Sequence, residues 1–129
     1  SLSAEWAGGG TNAQSLLVET TTLDQTIATK GLAFPDLIKM DIEGGGTVAL
    51  KGCEQSIAKG RPLLCVESHT ADEDRTIGDV ALRHHYAAFR INNLQWVKDL
   101  SLSHPHPTGV WGTLILVPNE LRNIAEKVL

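Results

Sequence analysis

The chain has 129 residues, 42% of them hydrophobic, and a formal net charge of −4. A length of 129 residues fits one domain, residues 1–129, with a sizeable core. The mild acidity, a pI near 5.7 and the lack of a clustered Lys/Arg run argue against nucleic acid as a partner, and no apolar run approaches the ~20 residues that span a bilayer.

The N-terminus, SLSAEWAGGG, has neither a basic n-region nor an apolar h-region, so it does not read as a signal peptide. Residues 1–15, rich in Gly, Ser, Ala and Asn, read as a loop, and Leu16 to Thr20 as a short strand. Thr22 then suits an N-cap, with Gln25 three residues on completing a capping box. Leu23 and Ile27 share one face of that helix, and Gly31 suits its end. After Pro35, the stretch Asp36 to Glu43 (DLIKMDIE) predicts a strand with Ile38, Met40 and Ile42 on one side and Lys39, Asp41 and Glu43 on the other. A helix is predicted from Thr47 to Ala58, carrying Val48, Leu50, Cys53 and Ile57 and interrupted by Gly52.

Pro62 to Glu67 (PLLCVE) is a continuous apolar run, as expected of a parallel strand covered on both faces. Cys65 sits in that run as a small hydrophobe, and with Cys53 it forms no CxxC pair, so a reduced, cytoplasmic setting is expected. Asp72 to His84 predicts a helix anchored by Ile77, Val80 and Ala81. Tyr86 to Asn92 and Leu94 to Lys98 read as extended segments joined by a tight turn at Asn92-Asn93. Trp111 to Val117 is the last strong strand, and Asn119 caps a final helix with Leu121, Ile124 and Val128 facing inward. This order of elements defines an α/β sheet with an antiparallel element near its end.

In open α/β sheets, ligands bind beyond the carboxyl ends of the strands. Two consecutive strands end in ionisable residues here: Asp41 and Glu43 on the first, Glu67 and His69 on the second. Within each pair the i, i+2 spacing turns both side chains to one side of a regular strand. If the strands are adjacent, three carboxyl groups and one imidazole converge. That set suits general-base work or a hard divalent cation, and equally a solvated pair of strand ends. Gly44-Gly45-Gly46 allows a sharp turn, close approach to a ligand, or exposed amides at a helix start, but no GxGxxG fingerprint is present. His104 and His106 flank Pro105 in the loop before the last strand, where they read as substrate or metal contacts or as solvated loop residues. His84 and His85 fall near a helix C-terminus, a structural position. Trp6, Trp96 and Trp111 are isolated from basic clusters and read as packing residues.

Several linked motifs resemble the FkbM family of methyltransferases: Thr22-Leu23-Asp24, Ile38-Lys39 with Asp41 and Glu43-Gly44, Leu50-Lys51-Gly52, and Arg61-Pro62 running to Glu67 and His69. The resemblance covers about residues 18–70. It implies a partial Rossmann-like class I methyltransferase sheet, mostly parallel with an antiparallel last strand, whose last three strands correspond to about 62–67, 86–92 and 111–117. It further implies O-methylation by S-adenosylmethionine of a hydroxyl on a small-molecule acceptor such as a sugar or natural product. On that basis Asp41 and Gly44 are expected near the cofactor. Asp41, Glu43 and His69 are candidates for acid/base work, and Glu67, His104 and His106 for acceptor contacts.

The chain departs from the family pattern twice. Residues 1–35 hold no D-x-G-x-N-x-G loop, which makes a C-terminal portion of the domain the expectation, and Gly45-Gly46 stand where a small residue and a Glu are usual. A non-catalytic acceptor-binding domain and a metal-dependent enzyme built on the acidic cluster are the alternatives. The strand at 36–42 would present an unpaired edge unless residues 1–20 fold back on it, so a homodimer through that edge, or aggregation, is expected.

Overall fold

A computed structural model describes residues 17–98 and 112–129. Thr22 has an extended backbone and its hydroxyl accepts the Gln25 amide at 3.0 Å, which starts α1, Leu23–Lys30. Gly31, at φ 62°, ends it in the left-handed region that glycine adopts without steric cost. Residues 17–22 are irregular, so the strand expected at Leu16 to Thr20 does not form over its described part. A strand exists through its neighbour, and no described strand lies beside this segment.

The strand predicted at 36–43 is shorter, β1 at Leu37–Met40, and pairs in parallel with β2, Leu63–Ser68. Between them the helix expected over 47–58 is two pieces: α2 at Gly46–Lys51 and a π-helical turn at Ser56–Gly60. Gly52 marks the break because a Cβ there would lie 3.0 Å from Thr22 Cβ, and its carbonyl accepts the Asp24 amide at 3.1 Å. The Asp24 carboxylate in turn accepts the amides of Gln55 and Ser56 at 2.7 and 2.8 Å and the Ser56 hydroxyl at 2.6 Å. It therefore satisfies donors that the second helical segment leaves open at its start. The Thr-Leu-Asp and Leu-Lys-Gly motifs are thus two halves of one structural joint.

The chain continues through α3 (Ala71–Arg83) and β3 (Tyr86–Arg90). A 3-10 turn at Ile91–Asn93, closed by Leu94 at φ 53°, replaces the two-residue turn expected at Asn92-Asn93. The following strand, β4, is only Gln95–Trp96 rather than Leu94 to Lys98. β5 (Gly112–Pro118) leads to a 3-10 turn at Asn119–Leu121 and α4 (Arg122–Ala125).

The sheet order is β1-β2-β5-β3-β4. β5 runs antiparallel to both β2 and β3, so β1, β2 and β3 point one way while β5 and β4 point the other. The expected late antiparallel strand is therefore present, inserted between two strands of the other direction. Met40, Leu64, Val66, Ala88, Leu114 and Leu116 form one core with Leu50 and Ile57 and with Ile77, Val80 and Ala81 of α3. β2 is not covered on both faces as expected: Leu64, Val66 and Ser68 are buried, while Leu63, Cys65 and Glu67 alternate with them on a more open face. Lys39 pairs with Cys65 in the register, which puts it on that same open face.

The final helix also differs from the expectation. Leu121, Ile124 and Val128 are 40%, 63% and 80% exposed, while Arg122 lies over Trp96, 5.0 Å from its ring centroid. Trp96 also meets Phe89 edge to face at 5.4 Å, consistent with its packing role. Among the described residues no helix is long and apolar enough to cross a membrane.

At the amino end of the parallel strands, Arg61 donates to both carboxylate oxygens of Glu120, at 2.9 and 2.7 Å, and lies 4.6 Å from the Tyr86 ring centroid. The hydrogen bonds from Arg61 hold the Glu120 carboxyl down from 4.5 to about 2. Burial pushes Asp24 upward, but the Ser56 hydroxyl and the Gln55 and Ser56 amides outweigh it and leave its carboxyl below 3.8. Both groups bind protons more weakly folded than unfolded, so their stabilisation is complete above the unfolded values and is lost as pH falls through the folded ones. The urea midpoint should hold steady down to about pH 4.5 and fall from there towards pH 2, with a shallower fall in Glu120→Gln. An identical slope in that variant would show the Arg61 pair to be energetically silent.

Candidate active site

The carboxyl ends of β1 and β2 meet at one mouth. β1 stops at Met40 because the chain turns: the Gly45 amide donates to the Ile42 carbonyl at 3.0 Å, with Glu43 at φ 46° and Gly44 at φ 87°. A non-glycine residue in that region costs on the order of 1 kcal/mol; Gly44 adopts it freely. This turn, rather than a regular strand, brings Glu43 back towards the side on which Asp41 lies.

His69 is at the centre. Its side chain is only 12% exposed, and Nε2 lies 3.7 Å from Asp41 Oδ1, 3.8 Å from Glu43 Oε2 and 3.8 Å from Glu67 Oε1. All four strand-end residues singled out in the sequence therefore come together. Lys39 joins them, with Nζ 3.6 Å from Asp41 Oδ2 and 3.9 Å from Glu67 Oε2. These are ion-pair distances longer than hydrogen bonds, so the side chains surround a shared space instead of locking onto one another. Three carboxyl groups against one ammonium leave the mouth net negative when His69 is neutral. One ligand atom each from Asp41, Glu67 and His69 lie within 4.8 Å of one another, close enough to share a cation. His104 and His106 lie outside the described residues, as do Trp6 and Trp111.

Strand-end placement does not pick out two further contributors. Lys39 lies within β1, on the side that carries Asp41, rather than at its end. Glu73, almost fully buried at 1% exposure, accepts the Gly46 amide through Oε1 and the His69 amide through Oε2, both at 2.8 Å. Its signal is Thr70-x-x-Glu73 opening α3: Thr70 caps the helix and its hydroxyl accepts the Glu73 amide at 3.1 Å. The Gly46 amide is thus already bonded, which removes it as an exposed donor for a ligand.

Other candidates lie apart. His84 caps the far end of α3 with Nε2 2.8 Å from Glu54 Oε1, a structural place as expected. A cleft of about 500 Å³ lies between the start of α1 and α2, lined by Thr20, Thr22, Leu23, Val48, Ala49 and Cys53 among others. Burial, with a smaller push from the Asp24 charge, raises the Cys53 thiol to about 11. The thiol stays protonated at neutral pH and is a poor nucleophile there. The ionisable chemistry is at the strand-end mouth, whose edge this cleft reaches only at Gly45.

Fold and site together define an α/β protein with an acid/base cluster at the carboxyl ends of two adjacent parallel strands. The family model for the methyltransferase FkbM domain matches residues 1–93, and the chain belongs to that family. It is thereby a methyltransferase by family. No curated protein and no solved structure matches the chain.

Proposed function

We propose that this mouth transfers a methyl group from S-adenosylmethionine to a hydroxyl of a small-molecule acceptor, a sugar or related natural product, on a Rossmann-like sheet. The observation that carries the reading is the His69 imidazole held within 3.7–3.8 Å of three carboxyl groups where two parallel strands end. The donor set fits the cofactor: a net negative mouth suits a ligand with an ammonium and a sulfonium, and carboxylates accept from ribose hydroxyls. Bound S-adenosylmethionine supplies an electrophilic methyl group and leaves as a neutral thioether. Asp41 holds the ligand's positive end, with the Gly44 turn letting it approach. His69 takes the acceptor's hydroxyl proton at Nε2, and Asp41, Glu43 and Glu67 stabilise the imidazolium that results. Glu67, beside Lys39, orients the acceptor. Cys53 and Cys65 are both unpaired, in keeping with a reduced, cytoplasmic setting. Calorimetric titration with S-adenosylmethionine tests the reading: saturable heat is expected, and none would favour a non-catalytic acceptor-binding domain.

A second reading is favoured by the three ligand atoms within 4.8 Å, which would let Asp41, Glu67 and His69 hold a divalent cation. Lys39 already supplies positive charge to two of these groups. Equilibrium dialysis against Mn²⁺ decides, since a site of this kind should be lost in Asp41→Asn.

We also propose a second copy of the chain as the partner of β1, which among the described residues is an edge strand and whose Leu37 is well exposed. Light scattering over a concentration series should show a dimer. A monomer whose Leu37–Met40 amides resist exchange would contradict it.

A further inference from the structure

We infer that Glu73 is a positioning residue of the proposed methyl-transfer site, acting through the β1–α2 loop and His69; the inference rests on the reading given above. Its carboxyl group joins the two loops that carry the cluster. Oε1 accepts from Gly46, 27 residues away, immediately after the turn that places Asp41 and Glu43. Oε2 accepts from the amide of His69 itself and lies 4.0 Å from its Nδ1.

Helix capping does not account for this arrangement. In a capping box the Glu at the third helical position bonds the amide of the cap residue. Here the Thr70 amide is not the partner: Oε2 accepts the amide before Thr70 and, at 3.4 Å, the Thr70 hydroxyl, while Oε1 goes to a loop on another element. The fit is also tight: a Cβ on Gly46 would come 2.7 Å from Glu73 Oε1, so a side chain there would push the carboxyl group away from the amide. The third glycine of the Gly44-Gly45-Gly46 run is thus explained by Glu73 and not by a ligand. Because Asp41, Glu43 and Glu67 surround His69 without locking onto it, their spacing depends on what ties the loops together. Among the described residues Glu73 is a buried side chain that does so directly, and displacements of ~1 Å at such a site can cost on the order of 100-fold in rate.

The test is calorimetry with S-adenosylmethionine on the whole chain, paired with thermal melting. Glu73→Gln should bind roughly tenfold more weakly, the size of one lost hydrogen bond to a charged group. Gly46→Ala should reproduce that loss although every charged side chain of the mouth is retained, and it carries the test if Glu73→Gln fails to fold. Combining Glu73→Gln with Asp41→Asn should weaken binding little beyond Asp41→Asn alone, because Glu73 acts through the loop that presents Asp41. A merely structural role would lower the melting temperature and give losses that add in full. Full additivity, or wild-type affinity in both Glu73→Gln and Gly46→Ala, would overturn the inference while leaving the methyl-transfer reading intact. Absence of heat with the wild type would overturn both.

Discussion

Asp41→Asn is expected to lower methyl-transfer turnover by about 100-fold or more, the usual scale for losing one positioned acid/base group. The same change should barely touch stability. Asp41 is 46% exposed, and its contacts with Lys39 and His69 are 3.6 and 3.7 Å in length. Exposed pairs of this kind contribute about 0–1 kcal/mol after solvent screening. Kinetics with isotopically labelled S-adenosylmethionine, set beside urea unfolding of the same variant, separates the two effects. A variant with near-normal turnover would reduce Asp41 to a solvated strand-end residue.

The largest stability effect is expected elsewhere, at Arg90. Its Nη2 donates to both carboxylate oxygens of Asp74, at 3.0 and 3.1 Å, with Asp74 fully buried and Arg90 nearly so. The pair ties β3 to the first turn of α3 on the helix-covered face of the sheet. Taking such charges out of water is expensive, so removing one partner is far worse than removing both. Arg90→Met should therefore cost about 3–5 kcal/mol, a large share of the ~5–15 kcal/mol that holds a domain together. The double variant Asp74→Leu/Arg90→Met should regain much of that loss, because neither buried charge then remains. Urea midpoints of the two single variants and the double variant check this. Losses that simply add would mean the two residues are energetically independent.

Much of this architecture could be read locally. Thr22 and Gly31 delimit α1 as their chemistry dictates, and the apolar runs around Ile38 and Leu64 pair in parallel, with Asp41 and Glu67 at the same end. The four-residue cluster followed from that topology. What failed locally failed for identifiable reasons. Glu43 joins the cluster through a left-handed turn, which an i, i+2 count along a straight strand does not contain. The 47–58 helix breaks because Gly52 packs on Thr22 and Asp24 caps the next segment, contacts about 30 residues apart in the chain. Leu121, Ile124 and Val128 have helical spacing, yet α4 spans four residues and presents Arg122 to Trp96. Glu73 carried a cap signature, but its bond to Gly46 is a tertiary fact with no local trace.

The methyl donor is expected to bind at the mouth formed by Asp41, Glu43, Glu67 and His69. Amide chemical-shift mapping of the isotopically labelled chain with S-adenosylmethionine tests it most directly. The largest shifts are expected in the two loops at 41–46 and 67–70, with the opposite end around Arg61, Tyr86 and Glu120 unmoved. Shifts confined to the cleft between α1 and α2, shifts at the opposite end, or none at all would contradict it.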